Sequence, residues 1–376
     1  MDSPIYEINK IRNDRKSVLR SNKFLNRYML EIDNKDLTTT SYVFSVPIFN
    51  ITDGNLVNLE FSQKNGCLHH IGSNADIIVQ NNVVCLKNNC GIVHIEISKS
   101  EKEIGFNNMS MVNLSPTLNG VKFRKVLKKE KFIKLNIDIN ETPYGIKFNE
   151  KYFSFMSDDI TPIFTISVIG DRYIENFAPG SVFLNTRTID ERHYEIYIEC
   201  SDELKTVEVE CNMYEQKLML DTTVENRRPD ENNLYGAAAI IGSGEKYGEQ
   251  WLFSKIDYGI IRNILLKRIR SVRLFIPRLN KKVTEITAYN LMRRFCSIGT
   301  TWNNNDSRST NTAKTVLTDS YYIIDITGFT VDSETQNFIE MLGFVLKPKC
   351  DGNSYSLIST GDCYDQPQIL EITYYN

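Results

Sequence analysis

The sequence predicts an all-β protein of two domains behind a short N-terminal arm. Three observations carry that expectation. Short β-branched or aromatic runs recur along the chain, such as FIKLNIDI, YEIYIEC and TVEVEC. Asn-Gly, Asn-Asn, Asp-Gly and Pro-Gly breaks stand between runs, which is the chemistry of hairpin turns. Within TVEVEC the residues alternate, with Val207, Val209 and Cys211 on one face and Glu208 and Glu210 on the other. That period of two belongs to a strand with one buried face.

The elements follow in order. INKIRNDRKSVLRSNKFLNRYML (8–30) mixes Lys and Arg with scattered apolar positions and reads as a basic arm over 1–40, or a short helix. Such an arm is either a solvated terminal segment or a contact for another subunit. YVFSVPIF, NLVNLEF, ADIIVQ, NVVCL, GIVHIEI, FIKLNIDI, IFTISVI, YEIYIEC and TVEVEC then read as the strands of a first domain over 41–212. Alternation ends at Cys211, and a polar, turn-rich stretch runs from Glu225 to Asn233. The second domain is placed at 213–376, with strands AAAII, QWLFSKI, SVRLFIP, TEITAYNL, YYIIDIT, LGFVLK, YSLIST and ILEITYY.

Composition narrows the function classes. A net charge of −3 gives no global attraction to nucleic acid. No run approaches the roughly 18 apolar residues of a membrane span. The opening MDSPIYEINKIRNDRK has no apolar stretch of the kind a secretory signal peptide needs, so none is expected. Eight cysteines are present at spacings that do not repeat. Cys200 with Cys211, and Cys350 with Cys363, flank polar turns and could lie on neighbouring strands, but reduced thiols are the default without an export signal.

Candidate chemistry is sparse. GSGEKYG (242–248) looks like a phosphate loop, but Lys246 is followed by Tyr247 and then by a strand rather than a helix, so it reads as a turn. His69, His70, His94 and His193 all fall in the first half, without the spacing of a structural zinc site, and no metal or cofactor is expected. Without a histidine in the second half, no Ser-His-Asp or Cys-His site can be built there. Paired acids such as Asp158 with Asp159, or Asp362 with Asp365, read as surface charge. The stretch LLKRIRSVRLFIPRLNKK offers a sharper possibility: alternation puts Val272, Leu274 and Ile276 inward and Arg273 and Phe275 outward. With Arg270, these make a candidate face for an acidic polysaccharide or a phosphate-bearing polymer, through charge and stacking. The alternative is a solvated face balanced by nearby acids.

CSIGTTWNNND (296–306) holds one of two tryptophans, followed by three asparagines. Read together with its surroundings, it points to a family. The second half contains Asn232-Asn233-Leu234-Tyr235-Gly236, then Leu252 to Asp257, then the strand Val272 to Ile276. Thr301-Trp302-Asn303-Asn304, Ile324-Asp325-Ile326-Thr327 and Pro367 to Tyr374 follow in order. This succession resembles the DNRLRE family over roughly 150 residues. It departs where the family's first tryptophan of the Trp-Asn-Asn signature is replaced, around Phe295. The resemblance implies a jelly-roll β-sandwich found as an accessory module on bacterial surface and secreted proteins. Some relatives bind acidic polysaccharide and others serve as stalk or adhesion modules.

The expected architecture is therefore two jelly-roll-like β-sandwich domains. Trp302, with Trp251, is expected to be structural: on a strand or strand edge, with the Trp302 indole closing the end of the core and the asparagines forming the turn behind it. A sugar-stacking role for Trp302 is the alternative. The expected function is a non-catalytic structural or adhesive component of a bacterial cell or spore surface, or of a phage-tail-like particle. Its partners would be copies of itself or other assembly subunits. Alternatives are a binder of acidic glycans and the receptor-binding part of a toxin.

Overall fold

The computed structural model describes residues 8, 22–48, 61–70, 75–98, 113–117, 119–128, 132–148, 150, 152–158, 161–169, 182–201, 204–214, 218–233, 238–245, 247–280, 282, 284–305, 309–349, 353–363 and 366–376. Among the described residues the chain is all-β: three antiparallel sheets are present, with a short helix, α1 (Thr327–Thr330), beside them. It divides into two compact units. Unit 1 is Met1–Val57 with Gln216–Asn376, and unit 2 is Asn58–Glu215.

Three strands open unit 1: β1 (Asn22–Asn26), β2 (Met29–Asp33) and β3 (Thr38–Phe44). They pair in succession, and β3 then pairs with β28 (Ile369–Tyr375) from Thr38↔Tyr375 to Phe44↔Ile369. This corrects the expected arm over 1–40 and the expected boundary at 41. The described part of that segment is mostly sheet, and β3 runs through residue 41. The basic residues had masked an apolar row: Leu30, Ile32, Tyr42 and Phe44 occupy alternate positions of two neighbouring strands and are buried together.

Unit 2 holds two sheets. The eight-stranded sheet contains β4 (Ser62–Lys64), β5 (Cys67–His70), β6 (Asp76–Gln80), β7 (Val83–Asn88), β8 (Gly91–Ile97), β11 (Phe132–Ile139), β15 (Val182–Thr188) and β16 (His193–Cys200). The six-stranded sheet contains β9 (Asn113–Pro116), β10 (Gly120–Lys128), β12 (Gly145–Phe148), β13 (Tyr152–Met156), β14 (Pro162–Ile169) and β17 (Leu204–Met213). One buried cluster draws on both, with Val93, Leu135 and Ile196 from the first and Phe123, Phe164 and Val209 from the second. The rings of Phe155 and Tyr194 meet within it at 4.9 Å. TVEVEC behaves as its alternation predicts: Val207, Val209 and Cys211 join the cluster. Glu208 and Glu210 pair instead with Arg124 at 3.5 Å and Lys122 at 3.4 Å.

Cys200 and Cys211 do not lie on neighbouring strands. They belong to β16 and β17, in different sheets. The Cys211 thiol is free, and burial pushes its pKa up. Cys350 and nearly all of NLVNLEF lie outside the described residues.

The rest of unit 1 completes a 14-stranded sheet with β18 (Met219–Glu225), β19 (Arg228–Asn233), β20 (Ala238–Ser243), β21 (Gln250–Ile256), β22 (Ile269–Pro277), β23 (Ile286–Asn290), β24 (Thr312–Leu317), β25 (Tyr321–Asp325), β26 (Phe344–Pro348) and β27 (Ser354–Ser359). Its path runs β1-β2-β3-β28-β22-β25-β24-β23-β26-β21-β18-β19, with β20 joining β21 to β27. Strand β24 links two halves, pairing β23 through Thr312 and Ala313 and β25 through Lys314 to Leu317. The main cluster of buried side chains takes Val272, Leu274, Ile276 and Leu370 from one half and Ala239, Leu252, Ala288 and Leu346 from the other.

Candidate functional site

Strand β22 carries the candidate residues Arg270, Arg273 and Phe275, and the structure does not bring them together as an open ligand face. Val272, Leu274 and Ile276 point into the main core as expected. Phe275 does not point to solvent: it is 2% exposed. It shares a second cluster with Ile8, Tyr42, Phe44, Ile48, Tyr321 and Ile369, and meets the Tyr321 ring edge-on at 5.8 Å. Both faces of β22 are therefore covered at this point. Arg273 lies 5.6 Å from the Phe275 ring centroid and grips the buried Glu371 carboxylate through Nε at 2.9 Å and through a second guanidinium nitrogen. Arg270 pairs with Asp36 at 2.5 Å. Arg268 bonds Gln336 at 2.7 Å, and Arg278 donates to the carbonyl of Thr318. These cations are satisfied within unit 1, which leaves little to recognise an acidic ligand.

The tryptophans lie elsewhere, and they lie together. Trp251 on β21 and Trp302 have ring centroids 4.3 Å apart, tilted by 40°. Both are half-buried, at the margin of a small cluster built on Val224, Phe253, Leu291, Phe295 and Val345. Trp302 is not on a strand, and it does not plug the main core; it sits in a bend after Thr301. The expected placement on a strand is thus corrected. An indole needs one large apolar contact and a route for its N–H, and a half-buried loop site beside a second indole supplies the former.

The asparagines explain how the loop holds its shape. The buried Asn232, at the end of β19, donates its amide to the carbonyls of Ser297 at 3.0 Å, Ile298 at 3.0 Å and Thr300 at 2.9 Å. Asn303 bonds the Pro229 carbonyl through its backbone N–H and the Asp230 carboxylate through its side chain, both at 2.9 Å. Asn304 and Asn305 return to the carbonyls of Gly299 and Thr301, both at 3.1 Å. The loop therefore presents Trp302 from a fixed frame, which is the requirement for a preorganised contact surface.

Three further side chains complete the patch. Lys347 on β26 places Nζ 4.0 Å from the Trp251 ring centroid and 5.3 Å from that of Tyr289 on β23. Burial lowers its pKa, and the negative charge of Glu249 partly offsets that. The Trp251 indole N–H donates to Glu249 Oε1 at 2.8 Å.

Glu249 also forms part of the wall of an open hollow of about 590 Å³. Asn226, Ser243, Glu245 and Asn353 line the rest, with Gly244 and Gly248. Both glycines are dictated by close approach. A Cβ at Gly244 would lie 1.9 Å from Asn353 Oδ1, and one at Gly248, where φ is +69°, would lie 2.1 Å from Asn226 Oδ1. GSGEKYG is thus a turn between β20 and β21 that forms this hollow, and not a helix-opening phosphate loop. Lys246 lies outside the described residues.

No family model matches the chain, and no curated protein matches it.

Among the described residues, no three His, Cys, Asp or Glu side chains are placed to hold a metal ion. Asp159 and Asp365, members of the two acid pairs, lie outside the described residues. The sequence had singled out Trp251 and Trp302 separately, as structural residues. It had not singled out Lys347, Tyr289, Glu249, Asn226 or Asn353. One local signal was present: in LGFVLK, Lys347 alternates with the core residue Leu346, so it had to face away from the main core. What it faces depends on the pairing of β21 with β26, between Leu252 and Leu346.

Proposed function

We propose that this chain is a non-catalytic, carbohydrate-binding component of a structural or adhesive surface assembly, with its sugar-contacting site in unit 1 at Trp251 and Trp302. The observation that carries the reading is the half-exposed tryptophan pair, with Trp251 on β21 and Trp302 on a loop whose backbone is fixed by Asn232 and Asn303 to Asn305. Sugar rings present flat C–H faces that pack against indoles, and affinity gains when the indoles are already held in place. The polar hollow sharing the Glu249 wall supplies hydrogen-bonding groups next to that apolar surface, the usual chemistry of a small-molecule site.

In this reading each unit is a β-sandwich of jelly-roll type, supported by the buried cluster shared between two sheets in unit 2 and by the main cluster shared between two sheet halves in unit 1. The DNRLRE resemblance supports a bacterial cell or spore surface, or a phage-tail-like particle, as the setting. The site differs from the Arg270, Arg273 and Phe275 face, because those side chains are spent on internal contacts.

The chain has two tryptophans and both are in the site, so intrinsic tryptophan emission reports on it alone. A glycan array on the intact protein, followed by emission titrations with the hits, tests the reading. Saturable emission changes that disappear in Trp302→Ala are expected. An array without hits, or binding unchanged by Trp302→Ala, removes it.

A further inference from the structure

We infer that the ligand of this site is an uncharged saccharide, read through adjacent hydroxyl groups in the hollow beside Trp251, and not the acidic polysaccharide that the basic stretch of β22 suggests. The inference rests on the proposed sugar-binding role of the tryptophan pair and adds the chemical class.

The walls carry the argument. Glu245 and Glu249 line the hollow and carry carboxylates, which accept hydrogen bonds and cannot donate them. Asn226 and Asn353 line it and carry amides, which do both, and Ser243 carries a hydroxyl. A carboxylate can accept from two neighbouring hydroxyls at once, while an amide donates to a ring or hydroxyl oxygen and accepts from the next hydroxyl. That set matches a diol. It does not match a uronate, whose own carboxylate needs donors and would approach two like charges.

Two described cations lie nearby and keep their charge: Arg227 donates to the backbone carbonyl of Glu245, and Lys347 lies over the Trp251 and Tyr289 rings with Glu249 acting on its charge, so the discrimination rests on the acceptor pattern of the walls and not on net charge. The more distant guanidiniums of Arg270 and Arg273 are paired with Asp36 and Glu371. The Glu249 N–H donates to Asn226 Oδ1 at 3.0 Å, which holds that amide in the wall with its N–H groups left to donate, and Asn353 Oδ1 lies close to Gly244.

The test is a set of emission and calorimetric titrations of the intact protein with cellohexaose, chitohexaose, mannohexaose and hexagalacturonate, in 0.05 and 0.5 M NaCl. At least one of the neutral oligosaccharides is expected to saturate the site, with less than a twofold change in Kd between the salts, and hexagalacturonate to bind at least tenfold more weakly. Glu245→Lys is expected to narrow that gap to less than threefold. Tighter binding of hexagalacturonate, weakened by salt and lost in Trp302→Ala, would overturn the inference and leave the sugar-binding role standing. Silence with all four ligands would overturn both. A Glu245→Lys variant that keeps the tenfold gap would show that the walls do not set the charge preference and would also overturn the inference.

Discussion

Two of the places in unit 1 where a cation lies over an aromatic ring have opposite fates. On β22, Arg273 sits 5.6 Å from Phe275; across β26 and β21, Lys347 sits 4.0 Å from Trp251. The first is closed, with the ring 2% exposed and the guanidinium bound to a buried carboxylate. The second stays half-open beside a polar hollow. Residue types alone therefore do not mark a binding surface. What decides is whether another part of the chain covers the face, and on β22 the cover comes from Tyr42, Phe44 and Ile48, together with Ile8.

The comparison can be broken first at its closed end. Phe275→Ala should cost about 3–5 kcal/mol of stability, the loss for a fully buried aromatic ring, measured by urea unfolding. A cost under about 1 kcal/mol would mean that the face is open after all. Glu371→Ala strands Arg273 next to a buried position and should cost about 3 kcal/mol in the same measurement. Neither change should alter sugar titrations of the folded protein.

At the open end the order reverses, with binding more sensitive than stability. Asn232→Ala removes the amide that holds three loop carbonyls and should cost about 2 kcal/mol, while weakening sugar binding without touching the sugar. Trp302→Ala should raise the Kd by roughly tenfold to a hundredfold, about 1.4–2.8 kcal/mol, with a smaller effect on unfolding because the ring is only half-buried. If its stability loss matched that of Phe275→Ala, the tryptophan would be a core residue and the contrast between the two places would vanish.

The smallest effect belongs to Arg270. Its pair with Asp36 is half-exposed on both sides, so Arg270→Ala should cost less than about 1 kcal/mol, and less again in high salt. The Asp36 pKa is lowered, foremost by the Thr38 hydroxyl and next by Arg270. A lowered carboxylate pKa contributes stability above the unfolded-state value, near 3.8, and loses it as pH falls through the folded-state value. The difference between wild type and Arg270→Ala should accordingly be constant near neutrality and fade below about pH 4, as followed by unfolding midpoints across pH.

Much of the strand content was legible because alternation is a local property. GIVHIEI, FIKLNIDI and TVEVEC bury the positions that their period of two assigns. The hairpin of β2 and β3 was not, since its pairing partner β28 lies at the other end of the chain and basic neighbours gave it the look of an arm. The site was half legible. Trp302 stood out by rarity, and the asparagines after it read correctly as loop chemistry, though their role as ties to β19 needed Asn232 and Asp230 in place. Lys347 and Tyr289 reach Trp251 only through cross-strand register, which sequence spacing does not encode.

The pairing of β3 with β28 has a bearing on synthesis. Thr40 and Thr373 touch through their hydroxyls at 3.1 Å across a sequence separation of 333, so the ribosome must deliver β28 before β3 gains its second neighbour. The continuous segment Asn58–Glu215 faces no such wait and can collapse while translation proceeds. During that interval an early hairpin carries an unpaired edge, which is a template for pairing with other chains.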